Sequence, residues 1–501
     1  MSWTVFLRVE SPGPAAALAA PWLAAGWVER LVVLPPAAEG LPRFDDPRVA
    51  VAACPDFIPG DLLTRLLEDV QTPSAAVVHP GGLVEPEESF ARRFGQALAA
   101  PGMGLLCSHY RVPRVDAWEE IVLPRFQAGS ARDTFPTGPV WALNIDAARE
   151  ALRSGVPLAA PRRGGPFELF LRLARAGAVA ILPECLYRVR PPAAEDAHRR
   201  HFGYLLPEHR ARQLEMERIF TEHLRAIGAW LPPPAAPLPV AAGTFPVEAS
   251  VVIPVRDRVR TIGEALASAA SQECPFPFNV LVVDNHSTDG TAGAIEAVRS
   301  RFPRVHRLVP PRPGHGIGGC WQLAVQSELC GRYAIQLDSD DLYEGPDALR
   351  RMVECLRDSH AALAVGSYRV VDRDLKEIPP GVIDHREWTA QNGHNNLLRV
   401  EGIGAPRAFH VPAIREAGFP DVSYGEDYAA ALALSRHWPV GRIFEPLYLC
   451  RRWEGNSDSG LTSLQQARHH EYKDSLRTQE IGIRQSLAAS QTERRTLNIE
   501  R

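Results

Sequence analysis

The sequence predicts an α/β protein made of two tandem domains, each with a mostly parallel sheet, followed by a helical tail. Three observations support this fold class. Short apolar runs alternate with helical patterns in the second half of the chain, the first half repeats the same order, and a proline-rich stretch separates the halves. The predicted segments are a first domain at 1–230, a linker at 231–248, a second domain at 249–460 and a tail at 461–501.

The elements of the second domain follow from its hydrophobic pattern. Its apolar runs are uninterrupted, as in strands that helices cover on both faces of a parallel sheet. Predicted strands lie at 250–255, 278–284, 333–338 and 361–371, and predicted helices at 261–272, 291–302 and 346–358. Ligands of such sheets bind beyond the carboxyl ends of the strands. We therefore expect the functional site at that edge.

Acidic residues follow three of these strands. Asp257 comes just after the first, Asp284 closes the second, and "DSDD" places Asp338, Asp340 and Asp341 at the end of a later one. Crowded carboxylates repel one another unless a cation neutralises them, and carboxylate oxygens suit Mg²⁺ or Mn²⁺ together with phosphate oxygens. A solvated acidic turn, or a helix cap at Asp341, is the alternative.

The first half repeats this strand and turn without the acids. "AVVHPGGLVEPEESFARRFGQAL" aligns with "IQLDSDDLYEGPDALRRMVECL", so that His79 takes the place of Asp338. Later, "GPFE" at 165–168 answers "GEDY" at 425–428. We interpret the first domain as a degenerate, non-catalytic copy that arose by tandem duplication. Chance similarity of two α/β folds, or separate chemistry in the first half, are the alternatives.

Composition narrows the function class. The net charge of −4 gives no electrostatic basis for binding nucleic acid. The eight cysteines have no metal spacing, which favours reduced thiols in the cytoplasm. We identify no signal peptide or transmembrane segment, and peripheral contact with a membrane stays open.

Three blocks in the second domain carry a family resemblance. "VVIPVRDRVRTIGEALASAASQ", "LVVDNHSTDGT" and "YAIQLDSDD" occur in this order, each at a predicted strand end. Together they resemble the inverting family 2 glycosyltransferases of the GT-A fold, which is Rossmann-like. The resemblance covers about 250–455 and implies that both domains are GT-A-like. It also implies a nucleotide-diphosphate sugar as donor and a divalent metal, Mn²⁺ or Mg²⁺, as cofactor.

The resemblance also assigns roles to residues. It implies that Pro254, Asp257 and Asp284 bind the donor nucleoside. The DxD element implies that Asp338 and Asp340 bind the ribose and the metal on the diphosphate, with Asp341 beside them.

The acidic pair Glu426–Asp427 matches the position of the family's general base near the acceptor, with a helix cap as the alternative. "CRRW" places Arg451, Arg452 and Trp453 where processive relatives have (Q/R)xxRW, an element in which arginine assists the diphosphate and tryptophan meets the acceptor. The leading glutamine is missing, which leaves processivity open. A structural Arg–Trp stack is the alternative.

Three further features have open interpretations. Asp289 in "STDGT" is most simply a cap of the following helix. The glycine-rich 314–320 either lines the donor site or is a flexible loop. The tail has a thin apolar stripe, so we expect it to pack on the core or on a second subunit as a homodimer contact; the stripe consists of Leu461, Leu464, Tyr472, Leu476 and Ile483.

The sequence thus predicts a metal-dependent inverting glycosyltransferase that acts on a carbohydrate or glycoconjugate hydroxyl in polysaccharide, glycolipid or glycoconjugate synthesis. A non-catalytic nucleotide-sugar-binding scaffold is the first alternative. A nucleotidyltransferase is the second, although "IPVRDRVRT" has no glycine where such enzymes carry a glycine-rich loop.

Overall fold

A computed structural model describes most of the chain. The described residues are all except 1, 12, 37–42, 55–59, 155–163, 192–209, 240–243, 387–388, 390, 454, 457–459 and 500–501. The chain forms two compact units. The first unit contains 1–197, 208–229 and 460–501, and the second contains 198–207 and 230–459.

The first unit is an α/β fold. Its strands are β1 (Trp3–Arg8), β2 (Val28–Leu34), β3 (Val49–Val51), β4 (Ser74–Val78), β5 (Leu83–Pro86), β6 (Leu105–Pro113), β7 (Trp118–Ile121), β8 (Val140–Asn144) and β9 (Val179–Arg190). Its helices are α1 (Ala15–Ala24), α2 (Gly60–Glu68), α3 (Phe90–Leu98), α4 (Ile145–Arg153), α5 (Gly165–Arg175) and α6 (Arg210–Ala226), with a short 3₁₀ turn at Ala128–Ser130. The strands pair in the order β3-β2-β1-β4-β8-β6-β9-β5, and β7 pairs with β6.

The second unit has the same architecture. Its strands are β10 (Ala249–Val255), β11 (Phe278–Asp284), β12 (Val305–Leu308), β13 (Tyr333–Gln336), β14 (Leu342–Tyr343), β15 (Leu363–Val371), β16 (Glu377–Ile383), β17 (Arg407–His410) and β18 (Val440–Arg451). Its helices are α7 (Ile262–Ala270), α8 (Thr291–Arg299), α9 (Ile317–Gln326), α10 (Ala348–Asp358), α11 (Gly393–Asn396), α12 (Val411–Ala417) and α13 (Glu426–Ser435). The order β12-β11-β10-β13-β17-β15-β18-β14, with β16 beside β15, repeats that of the first unit strand for strand.

The predicted α/β class is confirmed, but each sheet is mixed rather than mostly parallel. In the described part of the second unit, β12, β11, β10 and β13 run parallel, whereas β17 is antiparallel to both of its neighbours. Continuous apolar runs report burial on both faces of a strand and contain no information on its direction. The antiparallel strands were therefore invisible to the sequence pattern.

The proline-rich stretch is attached to the second unit. Its described residues 231–239 form neither helix nor strand, and residues 240–243 lie outside the described part. Leu231 N donates to Asn395 Oδ1 at 3.1 Å, and Trp438 Nε1 donates to Pro237 O at 3.0 Å. The stretch thus follows the surface of this unit through backbone hydrogen bonds.

The tail forms one long helix, α14 (Ser463–Ile499), which belongs to the first unit. Its packed face contains charged as well as apolar residues, because Asp474 and Arg477 are fully buried and Ala467 and Ile481 are buried too. Leu464 and Ile483 of the expected stripe are exposed. Asp474 accepts hydrogen bonds from Arg132 Nε at 3.0 Å and from Ser130 Oγ at 2.8 Å. Ion pairs, which a hydrophobic pattern does not reveal, hold this helix in place.

In the part of the chain that the structure describes, every helix falls short of the length or the hydropathy that crossing a bilayer requires.

Candidate active site

Two loops at the carboxyl end of the sheet are bonded together beside β10 and β11. Asp257 has a left-handed φ of 52°, and its Oδ1 accepts from Thr288 N at 2.7 Å. Asp289 Oδ2 accepts from Val259 N at 3.0 Å, and its Oδ1 accepts from Thr291 N at 3.0 Å. Asp289 therefore links the two loops in addition to bonding at the start of α8. Pro254 lies half-buried on β10 below them.

The side chain of Asp284 at the end of β11 is fully buried. Arg307 Nη2 donates to Asp284 Oδ2 at 2.6 Å, and Ser287 N donates to its Oδ1 at 3.0 Å. Burial by itself would raise the pKa of Asp284, but the bonds from Ser287 and Arg307 outweigh it and lower that pKa. Sequence reasoning missed Arg307, because the short strand β12 that carries it was not recognised.

The acidic turn begins two residues after β13. Asp338 N donates to the Tyr448 hydroxyl at 3.1 Å, and Asp338 Oδ1 accepts from Gln336 Nε2 at 2.9 Å. Ser339 is buried, and its carbonyl accepts from Thr261 Oγ1 at 3.0 Å. Backbone and side-chain bonds thus hold this turn against β18 and α7, which orients the Asp338 carboxylate from two sides.

Asp340 and Asp341 face different surroundings. Asp340 Oδ2 accepts from Trp453 Nε1 at 3.3 Å and lies 4.0 Å from Arg258 Nε. Burial, and then the negative charge of Asp338, raise the pKa of Asp340. Asp341 is only 5% exposed, and its Oδ1 accepts from Arg451 N at 2.7 Å. Its pKa is raised well above the ordinary value, first by burial and then by the charges of Asp338 and Asp340.

The "CRRW" segment at the end of β18 lies against this turn. The buried Arg451 donates through Nε to the Asp340 carbonyl and through Nη1 to Glu264. Trp453 lies under two guanidinium groups, with Arg260 at 5.2 Å and Arg373 at 5.9 Å from its ring centroid. An arginine-rich wall thus surrounds the acidic turn, and cation–π contacts fix the indole within it.

Arg452 is half-buried, and its backbone N donates to Val371 O at 2.8 Å, which extends the pairing of β18 with β15. Its predicted contact with the donor diphosphate stays a prediction.

The acidic pair opens α13. Gly425 precedes it with a left-handed φ of 79°, which glycine adopts without strain. Glu426 is 8% exposed, and its Oε2 has no hydrogen-bond partner among the described residues. Burial, and then the charge of Asp427, raise the pKa of Glu426 to about 8, with a further contribution from Asp338. Arg407 on β17 pairs with Asp427, and both side chains are partly exposed.

The glycine-rich segment forms the start of α9, and its glycines permit close packing. A Cβ on Gly318 would lie 1.9 Å from Pro420 O, and one on Gly316 would lie 2.3 Å from the Val422 backbone. Asp421 accepts from Gly316 N at 2.7 Å and pairs with His315 at 2.8 Å. These glycines therefore bring α9 against the loop that leads into the acidic pair.

The structure thus brings most of the predicted site residues to one edge of the sheet. Asp338, Asp340, Asp341, Arg451 and Trp453 form one bonded cluster. The charge of Asp338 acts on both Glu426 and Arg407, which places the acidic pair beside that cluster. Asp257 and Asp284 instead have their bonds within the neighbouring loops, to Thr288, Ser287 and Arg307.

The fit of a divalent cation can be judged from these carboxylates. Within the described residues, no group of three or more His, Cys, Asp or Glu side chains is arranged to hold a metal ion. Asp341 is turned to Arg451 N, which leaves Asp338 and Asp340. Mg²⁺ sites commonly use one or two carboxylates with substrate phosphates and water. Burial, and then the charge of Asp338, raise the pKa of Asp340, and a bound cation would offset both, so these two residues fit.

Comparison with known proteins agrees with this geometry. A family model described as glycosyl transferase family 2 matches residues 250–416. The succinoglycan biosynthesis protein ExoO of Rhizobium meliloti is 35% identical over 131 residues, which are 26% of this chain and 36% of ExoO. The uncharacterized glycosyltransferase YfnE of Bacillus subtilis is 33% identical over 72 residues, which are 14% of this chain and 18% of YfnE.

Solved structures also match. S. aureus TarS 1–349 in complex with UDP-GlcNAc is 20% identical, with a TM-score of 0.35, over 43% of this chain and 61% of that one. The mannosyltransferase PcManGT from Pyrobaculum calidifontis, in complex with GDP-Man and Mn²⁺, is 16% identical, with a TM-score of 0.34, over 56% of this chain and 84% of that one.

The family match and the position of the acidic turn coincide in one segment. The segment 250–416 includes the loops after β10 and β11 as well as the acidic turn, and β17 with Arg407 lies near its end. The acidic pair and "CRRW" follow directly in the same unit. Residues 250–416 of the second unit are thus similar to glycosyl transferase family 2, and this chain spans about a third or less of the length of the curated relatives ExoO and YfnE.

Proposed function

We propose that the protein is a metal-dependent inverting glycosyltransferase that moves a sugar from a nucleotide-diphosphate donor to an acceptor hydroxyl. The observation that carries this proposal is the cluster in which Asp338 and Asp340 lie against an arginine-rich wall, with the buried Glu426 and the partly exposed Asp427 near them. One side of such a cluster suits a charged diphosphate, and the other suits proton removal from a hydroxyl.

The donor would bind at the first side. Asp338 and Asp340 would hold a divalent cation, which supplies neutralisation of the charge that develops on the departing diphosphate. The cations of Arg258 and Arg451 add positive charge at the same place. Pro254, Asp257 and Asp284 would line the nucleoside. The loops that contain them are already bonded together, so little ordering is needed when the donor binds.

The acceptor would bind at the second side. Asp427 is the better candidate for the general base, because the pKa of Glu426, at about 8, keeps that carboxyl protonated at neutral pH. As Asp427 takes the hydroxyl proton, the oxygen attacks the anomeric carbon from the face opposite the diphosphate. The bond to the diphosphate breaks, and the anomeric configuration inverts. Trp453 would contact the acceptor sugar.

The first unit would then be a duplicated copy without this chemistry. The identical strand order of the two sheets supports duplication. The replacement of Asp338 by His79, and of Glu426 and Asp427 by Pro166 and Phe167, supports loss of catalysis. The eight cysteines all lie in the described part of the chain and form no disulfide there, which supports a reducing compartment such as the cytoplasm. A homodimer contact through exposed α14 side chains stays a prediction.

The metal site is tested by Asp340→Asn in the whole chain. We expect it to abolish Mn²⁺-dependent binding of nucleoside diphosphates, and we expect thermal unfolding to show that both units of the variant are still folded. The measurement is calorimetry against uridine, guanosine and thymidine diphosphates with Mn²⁺ or with EDTA. Full activity of Asp340→Asn in EDTA would refute the metal assignment. Metal-dependent binding that persists in this variant would place a donor site in the first unit.

The base is tested separately by Asp427→Asn. A positioned general base contributes roughly 10²–10⁴-fold to turnover, so the rate of nucleoside diphosphate release should fall by that factor while donor affinity stays near wild type. Equal losses of affinity and turnover would mean that Asp427 only caps α13. A protein that releases pyrophosphate would be a nucleotidyltransferase, and one that releases neither product would be a scaffold.

A further inference from the structure

The first unit contains a cavity of about 220 Å³ at the carboxyl end of its own strands β1 and β4. This volume is below the roughly 300–1,000 Å³ of pockets for drug-sized ligands, so it suits a small ligand rather than a nucleotide sugar. Its walls are aromatic side chains and charged groups, namely Arg8, His79, Arg132, Asp133, Phe135, Trp141, Phe167, Phe170 and Arg212.

The cavity lies at the same place in the fold as the catalytic residues of the second unit. His79 follows β4 where Asp338 follows β13. In the first unit, Trp141 pairs with Val77, which lies two residues before His79. In the second unit, Ile335 pairs with Ala408, and this register sets Arg407 opposite Gln336. Gln336 likewise lies two residues before Asp338. Trp141 thus occupies the position of Arg407.

The acidic pair has its counterpart here as well. Gly165 opens α5 as Gly425 precedes α13, so that Pro166 and Phe167 stand for Glu426 and Asp427. Pro166 and Phe167 both line the cavity. The positions that carry carboxylates in the second unit are thus apolar or aromatic in the first, and a cavity lies among them.

Two polar atoms of the cavity wall have no partner among the described residues. Trp141 is 9% exposed, and its Nε1 is buried without a hydrogen bond. His79 Nε2 is likewise buried without one, and the His79 ring lies 4.8 Å from that of Trp141. A buried N–H without a partner costs free energy, which a ligand oxygen would recover. An indole N–H can only donate, so the ligand must supply an acceptor.

The charges around these atoms favour an anion. Arg132 is bonded to Asp474 of α14 at 3.0 Å. The other charged side chains in the wall are Arg8, Arg212 and Asp133, two cations and one anion. Burial, and then the charge of Arg8, lower the pKa of His79 to about 4, so the imidazole is neutral at pH 7. A bound anion would oppose both effects and would draw a proton onto the ring.

We propose that this cavity is a metal-independent binding site for one acidic sugar residue, whose carboxylate or phosphate oxygen accepts from Trp141 Nε1 and His79 Nε2. The aromatic walls suit the apolar face of a sugar ring, and an oxyanion suits a lining that includes Arg8 and Arg212. The choice of a sugar over other small acids rests on the proposed function of the second unit. The site itself does not depend on that function.

The test is calorimetry on the whole chain in EDTA, with glucuronate, glucose 6-phosphate, inorganic phosphate and glucose as probes. Trp141→Phe keeps the ring but removes the N–H donor, and His79→Gln keeps a polar side chain of smaller size. Since a hydrogen bond to a charged group is lost, we expect each variant to weaken binding of the acidic sugars roughly 10–100-fold. Asp340→Asn, the matched control in the second unit, should leave this binding unchanged.

A second measurement uses wild-type protein alone, in case a variant fails to fold. The pKa of His79, followed by NMR of labelled histidine, should rise when the acidic sugar saturates the site. Glucuronate and glucose 6-phosphate separate the carboxylate source from the phosphate source. If inorganic phosphate bound with the same affinity as glucose 6-phosphate, the sugar ring would contribute nothing to binding, and the proposal that the ligand is a sugar would be refuted.

Three other results would overturn the site. They are the absence of binding by every probe, equal binding of neutral glucose, and an unmoved His79 pKa at saturation. Loss of acidic-sugar binding in Asp340→Asn, with retention in Trp141→Phe and His79→Gln, would place the ligand in the second unit instead. Failure of the metal assignment for Asp340 would leave the first-unit result unaffected, so the two proposals can fail separately.

Discussion

The buried carboxyl of Glu426 should make the stability of the second unit depend on pH, and Glu426→Gln should remove that dependence. Glu426 is 8% exposed, its Oε2 has no partner among the described residues, and the charge of Asp427 is adjacent. The neutral acid is therefore favoured in the folded protein. Glutamine has nearly the same shape and carries no charge at any pH, so it imitates the protonated acid.

The magnitude follows from the pKa. The interval from the ordinary value of 4.5 to about 8, at roughly 1.36 kcal/mol per pKa unit, corresponds to about 5 kcal/mol. Because the folded state holds this proton more tightly than the unfolded state, the contribution is fully present below pH 4.5 and is lost as pH rises to about 8. The wild type should therefore lose stability over this window relative to Glu426→Gln.

The assay is urea unfolding in EDTA at several pH values between 5 and 8, read by hydrogen exchange of peptides from 249–459. These peptides report the second unit separately, which matters because a chain with two units need not unfold in one step. We expect the loss of unfolding free energy of the wild type relative to Glu426→Gln to be small at pH 5 and to reach several kcal/mol by pH 8, on the order of the 5 kcal/mol derived from the pKa. In an Asp427→Asn background this loss should be smaller, since the charge of Asp427 raises the pKa of Glu426. Parallel profiles for wild type and Glu426→Gln would refute the reasoning.

Two further predictions concern packing. Asp474→Ala leaves the buried Arg132 without its counter-ion and should destabilise the first unit by about 3–5 kcal/mol in chemical unfolding. The control Glu222→Gln, which removes an exposed ion pair, should destabilise it by less than about 1 kcal/mol. Equal losses of stability would contradict a structural role for the buried pair. Gly318→Ala forces a methyl group toward Pro420 O and should lower both stability and turnover. The control Gly293→Ala, in a helix with open space around it, should raise stability by up to about 1 kcal/mol. If Gly318→Ala left stability and turnover unchanged, α9 would not need to pack this closely against Pro420.

The acidic turn and its neighbours could be located from sequence because their signal is local. A parallel strand that ends on acids places those acids at the ligand edge of a sheet, whatever the rest of the chain does. Asp338 and Asp340 were found in this way, and Asp284 and Asp257 by the same rule. Asp341 lies in the same run of letters, yet it turns inward to Arg451 N. The direction of the Asp341 side chain depends on β18, which only the folded structure places beside it.

Partners that are distant in sequence were beyond the pattern. Arg307 pairs with Asp284 across two neighbouring strands, and Arg407 of β17 pairs with Asp427 of α13. Only the folded chain defines these neighbours. The charged face of α14 was also missed, since a hydrophobic pattern assigns Asp474 to solvent. A counter-ion such as Arg132, about 340 residues away along the chain, makes its burial tolerable.

The sequence by itself determined the α/β class, the two-fold repeat and the acidic edge of the second unit, because these depend on periodicity and on the positions of strand ends. The tertiary structure decided the direction of the strands, the partner of each buried charge and the survival of a cavity around His79 and Trp141. The physical reason is that burial, pairing and empty space are properties of residues that meet only after folding, and a linear pattern holds no record of which residues will meet.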